Sequence, residues 1–234
     1  MGLSTGELVE IYLDNGLTGG RLLCPQNIVP GPGQYLLAHD PASNAPLPVP
    51  VFNAGSVPGG FLVAPPIPTD WRPGISLSIR GPLGRGFSLR PSARSVALVA
   101  LGETPARLKA VLADALRQNA SVVFVSDLDL PDLPPEVEVQ SVAGLAQVAN
   151  WADYIALDLP REALPGLRET LGLGEQDEVK FARPPSRAGE AQALVVTPVP
   201  CGGIAECGVC AVRLRRGWKL ACKDGPVFDL SDLI

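Results

Sequence analysis

Cys201, Cys207, Cys210 and Cys222 fall within the last 34 residues of a 234-residue chain, spaced Cys-x5-Cys-x2-Cys-x11-Cys. Thiolate is the soft anionic donor a protein offers to iron, zinc and copper, so this loop and its return suit a metal centre. Three readings follow. Two irons bridged by two sulfides take four thiolates, three close together and one remote. Zinc also takes four ligands, usually from two separated Cys-x2–4-Cys pairs or from Cys mixed with His. Here Cys207 and Cys210 form one such pair, and the single histidine, His39, lies far upstream. The third reading is disulfides or free thiols. Disulfides need an oxidising compartment, and Met1-Gly-Leu-Ser-Thr-Gly-Glu lacks the basic and then apolar run of a secretion signal.

The spacing favours the dinuclear centre, differing from the plant-type [2Fe–2S] layout by one residue in the first gap. A Rieske centre needs two histidines and is excluded. The loop between the first two ligands must wrap the centre without helix or strand while its N–H groups approach the sulfurs. Gly202, Gly203 and Gly208 permit that, and Ala205 and Val209 are small or apolar enough to exclude water. Next, AVRLRRGWKLAC alternates around Arg216-Gly217, predicting a hairpin that returns Cys222 to the site. Trp218 is expected to pack against a core. Arg213, Arg215 and Arg216 form either a solvated face or a docking face for an acidic partner. Such a chain moves single electrons and does no bond-making chemistry itself. The rival reading is a scaffold or binding subunit whose tail is stapled by metal.

The elements that must position this loop occupy three zones, expected at 1–91, 92–196 and 197–234. The first is all-β: Glu7–Leu13, Arg21–Cys24, Gln34–Ala38, Phe61–Ala64 and Ile75–Arg80 are short runs between turn signals such as Asp14-Asn15-Gly16, which predicts a barrel or sandwich. In the second, Ser95–Leu101 reads as a strand buried on both faces. Thr104-Pro105 then caps a helix carrying Leu108, Val111, Leu112, Ala115 and Leu116 on one face. Val122–Ser126, Val137–Gln140, Tyr154–Leu157 and Leu194–Thr197 read as further strands, with helices over Ala143–Ala149 and Arg161–Leu171, so a parallel α/β domain is expected. The third zone is the cysteine module. A net charge of −5 argues against nucleic acid, and no apolar stretch approaches a membrane span. A cytoplasmic protein is expected. Cys24 is expected to be a small buried hydrophobe and His39 a turn residue. With one histidine, a Ser-His-Asp hydrolase is disfavoured.

Several motifs carry a family resemblance. Pro32-Gly33-Gln34-Tyr35, Trp71-Arg72-Pro73-Gly74, Arg80-Gly81-Pro82-Leu83-Gly84-Arg85-Gly86-Phe87 and Cys222-Lys223-Asp224-Gly225-Pro226-Val227-Phe228 follow one another in this order. Together the chain resembles the electron-transfer subunit of class 1B dihydroorotate dehydrogenase, a ferredoxin-reductase-like protein of pyrimidine biosynthesis. The resemblance implies a FAD-type β-barrel, a nucleotide-type α/β domain and a C-terminal [2Fe–2S] module ligated by Cys201, Cys207, Cys210 and Cys222. It also implies a separate catalytic flavoprotein subunit as partner and NAD(H) as the other redox party.

Two departures bear on the nucleotides. The family's barrel grips the FAD pyrophosphate with an Arg-x-(aromatic or Pro)-Ser/Thr strand, but here Ala45-Pro-Leu-Pro-Val-Pro-Val-Phe-Asn53 has neither the arginine nor a hydroxyl. Asn53 and Arg80 are the candidate substitutes, and FAD stays open on the sequence alone. The glycine-rich phosphate turn is reduced to Leu101-Gly102-Glu103-Thr104-Pro105, and the Cys-Gly-Pro run after a later strand is replaced by Leu157-Asp158-Leu159-Pro160. Glu103 suits a helix start instead. NAD binding is expected to be weak or lost.

Overall fold

The computed structural model describes residues 3–174 and 190–234. Asn15 and Gly16 both take positive φ, 52° and 75°, the geometry of a two-residue hairpin turn matched to strand twist. This turn folds β1 (Leu3–Asp14) onto β2 (Leu17–Leu23), with Asp14 opposite Leu17. With β3 (Tyr35–His39), β4 (Val49–Val57), β5 (Gly60–Val63) and β6 (Ile75–Leu83) they close a barrel in the order β1-β2-β5-β4-β3-β6, all neighbours antiparallel. Inward residues Leu8, Leu22, Leu36, Val51, Phe61, Leu77 and Ile79 fill it. Of the two all-β forms expected, the barrel is the one formed. Strand β4 has no counterpart among the expected runs, because Pro46, Pro48 and Pro50 read as loop. Pro50 is tolerated as the second residue of the strand, where little of the ladder depends on its missing N–H.

The second zone alternates strand and helix. The strands are β7 (Ser95–Ala100), β8 (Ser121–Val125), β9 (Val137–Gln140), β10 (Tyr154–Pro160) and β11 (Glu190–Val196), all parallel to one another. Between them lie α1 (Lys109–Arg117), α2 (Leu145–Trp151) and α3 (Leu167–Thr170). Leu108, Val111, Leu112 and Ala115 are buried on one side of the sheet, as their spacing requires. The first and third helices are shorter than expected, and the second, of the same length, lies two residues later. Thr104 Oγ1 accepts the Ala106 N–H at 3.1 Å, but Ala106–Leu108 is a 3-10 turn and the α-helix begins at Lys109. Arg161–Gly166 is likewise 3-10, because Pro165 lies within it and has no N–H to donate.

After the cysteine loop come the hairpin β12 (Ala211–Leu214) and β13 (Gly217–Leu220), then α4 (Ala221–Asp224), β14 (Val227–Asp229) and α5 (Leu230–Leu233). β14 pairs antiparallel with β11, completing a six-stranded sheet in the order β14-β11-β10-β7-β8-β9. The segment after the fourth cysteine is thereby stitched into the α/β core. Leu230 and Ile234 pack with Leu157 and Leu159 in that core. The same tail meets the end of the barrel, where Arg85 N–H donates to the Gly225 carbonyl.

Candidate metal centre and the closed crevice beside it

The hairpin does what the sequence asks of it: it brings Cys222 back onto Cys210. Their sulfurs lie 3.2 Å apart, both residues are buried, and the Ala221 N–H donates to the Cys210 carbonyl at 3.0 Å. That separation is far from an S–S bond of about 2.05 Å, and all five cysteines are free. The other two ligand candidates form a second pair, in which Cys207 hydrogen-bonds the Cys201 sulfur. Cys201 is half-buried and Cys207 exposed. Among the described residues, no three His, Cys, Asp or Glu side chains gather closely enough to hold a single metal ion. The sulfurs are arranged as two pairs.

The loop's backbone explains its electrostatics. Gly202, Gly203, Ala205 and Gly208 have φ of 64°, 72°, 64° and 71°, so the chain coils with its N–H groups turned inward. Burial pushes the Cys201 thiol up, but hydrogen bonds from Cys207 and from the N–H groups of Cys207, Glu206 and Ile204 outweigh it and hold the thiol at about 6. Cys222 is pushed up to about 12 by burial and by its neighbour Cys210, with one Ala205 N–H pulling the other way. N–H donors aimed at sulfur stabilise thiolate and the negative charge of a bound cluster.

The barrel wall forms the other side of this site. The Arg80 guanidinium donates to the Gly202 carbonyl. A side chain on Gly203 would begin 3.4 Å from Leu37 Cδ1, 3.5 Å from the Tyr35 hydroxyl and 3.6 Å from Arg80 Nη2. Tyr35 is buried, and its hydroxyl has no hydrogen-bond partner among the described residues. Burial, followed by the nearby Cys222 and Cys210, raises its pKa well above the usual phenol range. Sequence reasoning did not connect Tyr35 to the cysteines. The available signal was a hydroxyl on the otherwise apolar inner strand Tyr35-Leu-Leu-Ala-His39.

The strand in the position where the resemblance implies a flavin pyrophosphate, β4, is closed. Phe52 stacks at a tilt against Tyr35, 5.6 Å between ring centroids, and the Arg107 guanidinium lies 6.0 Å from the Phe52 ring centre. Ala54 and Ala64 of the barrel pack on Ala106 of the α/β domain, with Phe52 and Leu62 around them. Neither candidate substitute for the missing arginine is available. Asn53 donates to the Pro30 carbonyl and accepts the Gly55 N–H, and Arg80 holds the cysteine loop. Arg107 itself is buried and paired with the fully buried Asp158 at 2.9 Å, with Glu103 at 3.8 Å on its far side. Asp158 is held above the usual carboxylate range because its burial outweighs the pull of Arg107. A dianionic pyrophosphate would meet apolar side chains and carboxylates here, so these residues do not fit FAD. In the shortened phosphate turn Leu101 N–H donates to the Asp158 carbonyl, and Pro105 has no N–H. A lone aspartate in Tyr154-Ile-Ala-Leu-Asp-Leu159 was the sequence signal for this pair, since a buried carboxylate demands a cation.

Beyond the hairpin, a groove of about 690 Å³ is lined by Arg161, Leu164, Arg213, Leu214, Trp218 and Leu233. Trp218 is 68% exposed, not packed into a core as expected, because the two-stranded hairpin has no third layer to bury it. Ile204 and Val209 on the cysteine loop are exposed as well, so Val209 does not shield the sulfurs from water. Arg213, Arg215 and Arg216 are exposed and make no ion pair among the described residues. Cys24 is half-buried, and His39 ends β3 with its ring against the Ala45 carbonyl.

The iron–sulfur cluster binding domain of dihydroorotate dehydrogenase B matches residues 201–234. Sulfhydrogenase 1 subunit gamma of Pyrococcus furiosus is 25% identical over 200 residues, 70% of this chain and 64% of that protein; the chain thus spans less than two thirds of this relative's length. The solved NADH-dependent reduced ferredoxin–NADP oxidoreductase, a protein of flavin-based electron bifurcation, overlays 99% of this chain and 90% of its own at a TM-score of 0.72 and 16% identity. Phthalate dioxygenase reductase, which passes electrons from pyridine nucleotides to [2Fe–2S], overlays 95% of this chain and 78% of its own at 0.57 and 13%. The fold is that of ferredoxin reductases, carrying an iron–sulfur binding domain at its C-terminus.

Proposed function

We propose that this chain, an electron-transfer subunit of the dihydroorotate dehydrogenase B type, carries single electrons on a [2Fe–2S] cluster and holds no flavin or nicotinamide of its own. Cys201 and Cys207 would ligate one iron, and Cys210 and Cys222 the other. The observation that carries this reading is the Cys210–Cys222 sulfur contact beside the Cys201–Cys207 hydrogen bond. A single zinc ion asks for four donors around one point, whereas each iron of a dinuclear centre takes two thiolates besides its two sulfides. Such a cluster, when bound, accepts and returns one electron at a time. The protein's part is to turn N–H groups of residues 204–207 toward the sulfurs and to keep Cys210 and Cys222 dry. Free cysteines throughout suit a reducing compartment such as the cytoplasm, and no helix among the described residues is long and apolar enough to cross a membrane.

With β4 closed, electrons must both arrive and leave through other proteins. We assign the docking face to the groove beside the cysteine loop, lined by exposed Trp218 and by Arg213 and Arg215, which make no ion pair among the described residues. Its occupant is a redox protein with an acidic rim and an apolar centre. The family match of the tail favours a catalytic flavoprotein that oxidises dihydroorotate in pyrimidine biosynthesis, and the gamma-subunit relative favours a hydrogenase. Reduction of the loaded protein by dihydroorotate through the first partner, or by hydrogen through the second, separates these readings. If neither reduces it and dithionite does not do so reversibly, the chain is the metal-stapled scaffold.

The first experiment is the absorption spectrum of anaerobically purified protein with iron, acid-labile sulfide and flavin assays. Two irons and two sulfides per chain are expected, with bands between about 400 and 550 nm that bleach partly on reduction, and no flavin after incubation with excess FAD and desalting. Stoichiometric flavin would overturn the closed-crevice reading, and zinc without sulfide would overturn electron transfer altogether.

A further inference from the structure

The protein has three tyrosines, all raised in pKa by burial, and two of them have found partners. Tyr12 donates to the Val63 carbonyl at 2.8 Å, and Tyr154 to Gln192 Oε1 at 2.8 Å. Tyr35 is 2% exposed and its hydroxyl has none among the described residues. An orphan hydroxyl in a protein interior loses its hydration and gains nothing, so a phenylalanine would fill the same space without that loss. The hydroxyl is also not pointed into apolar packing. It sits by the left-handed turn at Gly202-Gly203, 3.5 Å from where a Gly203 side chain would start, beside the Arg80 guanidinium that grips the Gly202 carbonyl. What the hydroxyl lacks is an acceptor, and the side it faces is that of the cysteine loop.

We propose that Tyr35 is a tuning residue for the metal centre: from barrel strand β3 its hydroxyl donates a hydrogen bond to a sulfur of the cysteine site and raises the reduction potential. The inference rests on the [2Fe–2S] reading above. Its physical basis is that reduction adds a negative charge to the centre, and a donor aimed at sulfur stabilises that charged state more than the oxidised one. Arg80 adds to the same field with its fixed positive charge and keeps the loop seated on the barrel. The wall that in a flavin reductase would face a cofactor serves here to set the potential of the cysteine site.

Tyr35→Phe keeps ring and volume and removes only the donor. With iron and sulfide content confirmed first, redox titration should show the reduced-to-oxidised ratio at a fixed poise falling about tenfold, which for one electron is a midpoint about 59 mV lower. The iron–thiolate stretching bands in resonance Raman should lose a deuterium-exchange shift that the unmutated protein shows. Replacing Tyr35 with 3,5-difluorotyrosine, a stronger donor of the same shape, should move the midpoint upward. This second variant also decides the matter if Tyr35→Phe fails to load. A loaded Tyr35→Phe protein with unchanged midpoint and unchanged bands overturns the proposal while the cluster reading stands. An unmutated protein that assembles no iron and sulfide overturns both.

Discussion

The cysteine loop and the first turn of the α/β domain both press against the barrel wall, and they do so in opposite ways. At the loop, Tyr35 keeps a hydroxyl without a partner among the described residues, and thiols crowd within hydrogen-bonding range of one another. At the turn, Phe52 fills space, Asn53 is satisfied at both ends of its amide, and Arg107 is matched by Asp158 and Glu103. A site that awaits a group leaves polar chemistry unsatisfied in its walls, because the group is the missing partner. A site that has lost its group closes its accounts internally. Likeness of fold to ferredoxin reductases is shared by both regions and does not tell them apart; the state of each wall does.

The largest test of the retained site is Cys222→Ser. Serine has nearly the same shape but a hard, weakly acidic oxygen in place of a soft thiolate. Because Cys222 is buried beside Cys210 and returns from a separate hairpin, no neighbouring thiol is placed to replace it. Loss of essentially all iron and sulfide is expected, with the circular dichroism of the barrel and sheet unchanged. Full iron and sulfide would break the pairing on which the comparison rests.

The closed site is tested by its buried ion pair. Removing one partner of such a pair leaves an uncompensated charge, so Asp158→Ala should cost about 3–5 kcal/mol in chemical denaturation. Replacing both, Arg107→Met with Asp158→Leu, should leave stability within about 1 kcal/mol of the unmutated protein or above it. The pH dependence has a definite sign. The folded-state pKa of Asp158 is raised, so its contribution to stability is greatest below the unfolded value of about 3.9 and is lost as pH rises through the folded value. The stability of the double variant relative to the parent should therefore grow as pH is raised from about 4. A relative stability that falls over that range would mean that the attraction of Arg107 outweighs the desolvation of Asp158.

How much of this was legible beforehand divides along the same line. The hairpin that returns Cys222, the buried strand at Ser95 and the apolar face of α1 follow from local pattern, since alternation and helical spacing are fixed by backbone geometry. The proline-rich β4 was not legible, because its strand character comes from pairing with β3 and β5 and not from its own residues. The missing arginine and hydroxyl in Ala45–Asn53 marked a departure from the family's strand. Nothing local announced what had moved in, because Phe52, Arg107 and Asp158 come from three elements far apart in the chain. Trp218 misled for a related reason: its exposure depends on a third layer that the hairpin never acquires.

A smaller effect sharpens the boundary between loop and barrel. Gly203→Ala puts a Cβ on a residue with φ of 72° and sets it 3.4–3.6 Å from Leu37, Tyr35 and Arg80. The backbone alone costs about 1–2 kcal/mol in that conformation. Thermal unfolding of the loaded protein should shift down accordingly, with iron and sulfide retained. No shift would mean that the loop is free to move off the wall.

The smallest expected change lies at the surface, and it asks whether the retained site faces outward to a partner. Arg213 and Arg215 are exposed, so their charges are screened by solvent and salt and act mainly on the rate of encounter. Arg213→Gln with Arg215→Gln should slow electron transfer to an acidic redox protein several-fold at low ionic strength, with the two rates converging above about 0.5 M salt as the Debye length shrinks below contact distances. Trp218→Ala should instead slow transfer at every salt concentration, since an apolar contact is not screened. If the arginine variant behaves like the parent at low salt while the tryptophan variant is slow, docking is apolar and the charge argument for an acidic partner fails. If both behave like the parent, the electron leaves by another face, and exposed Ile204 and Val209 on the loop itself become the contact to test.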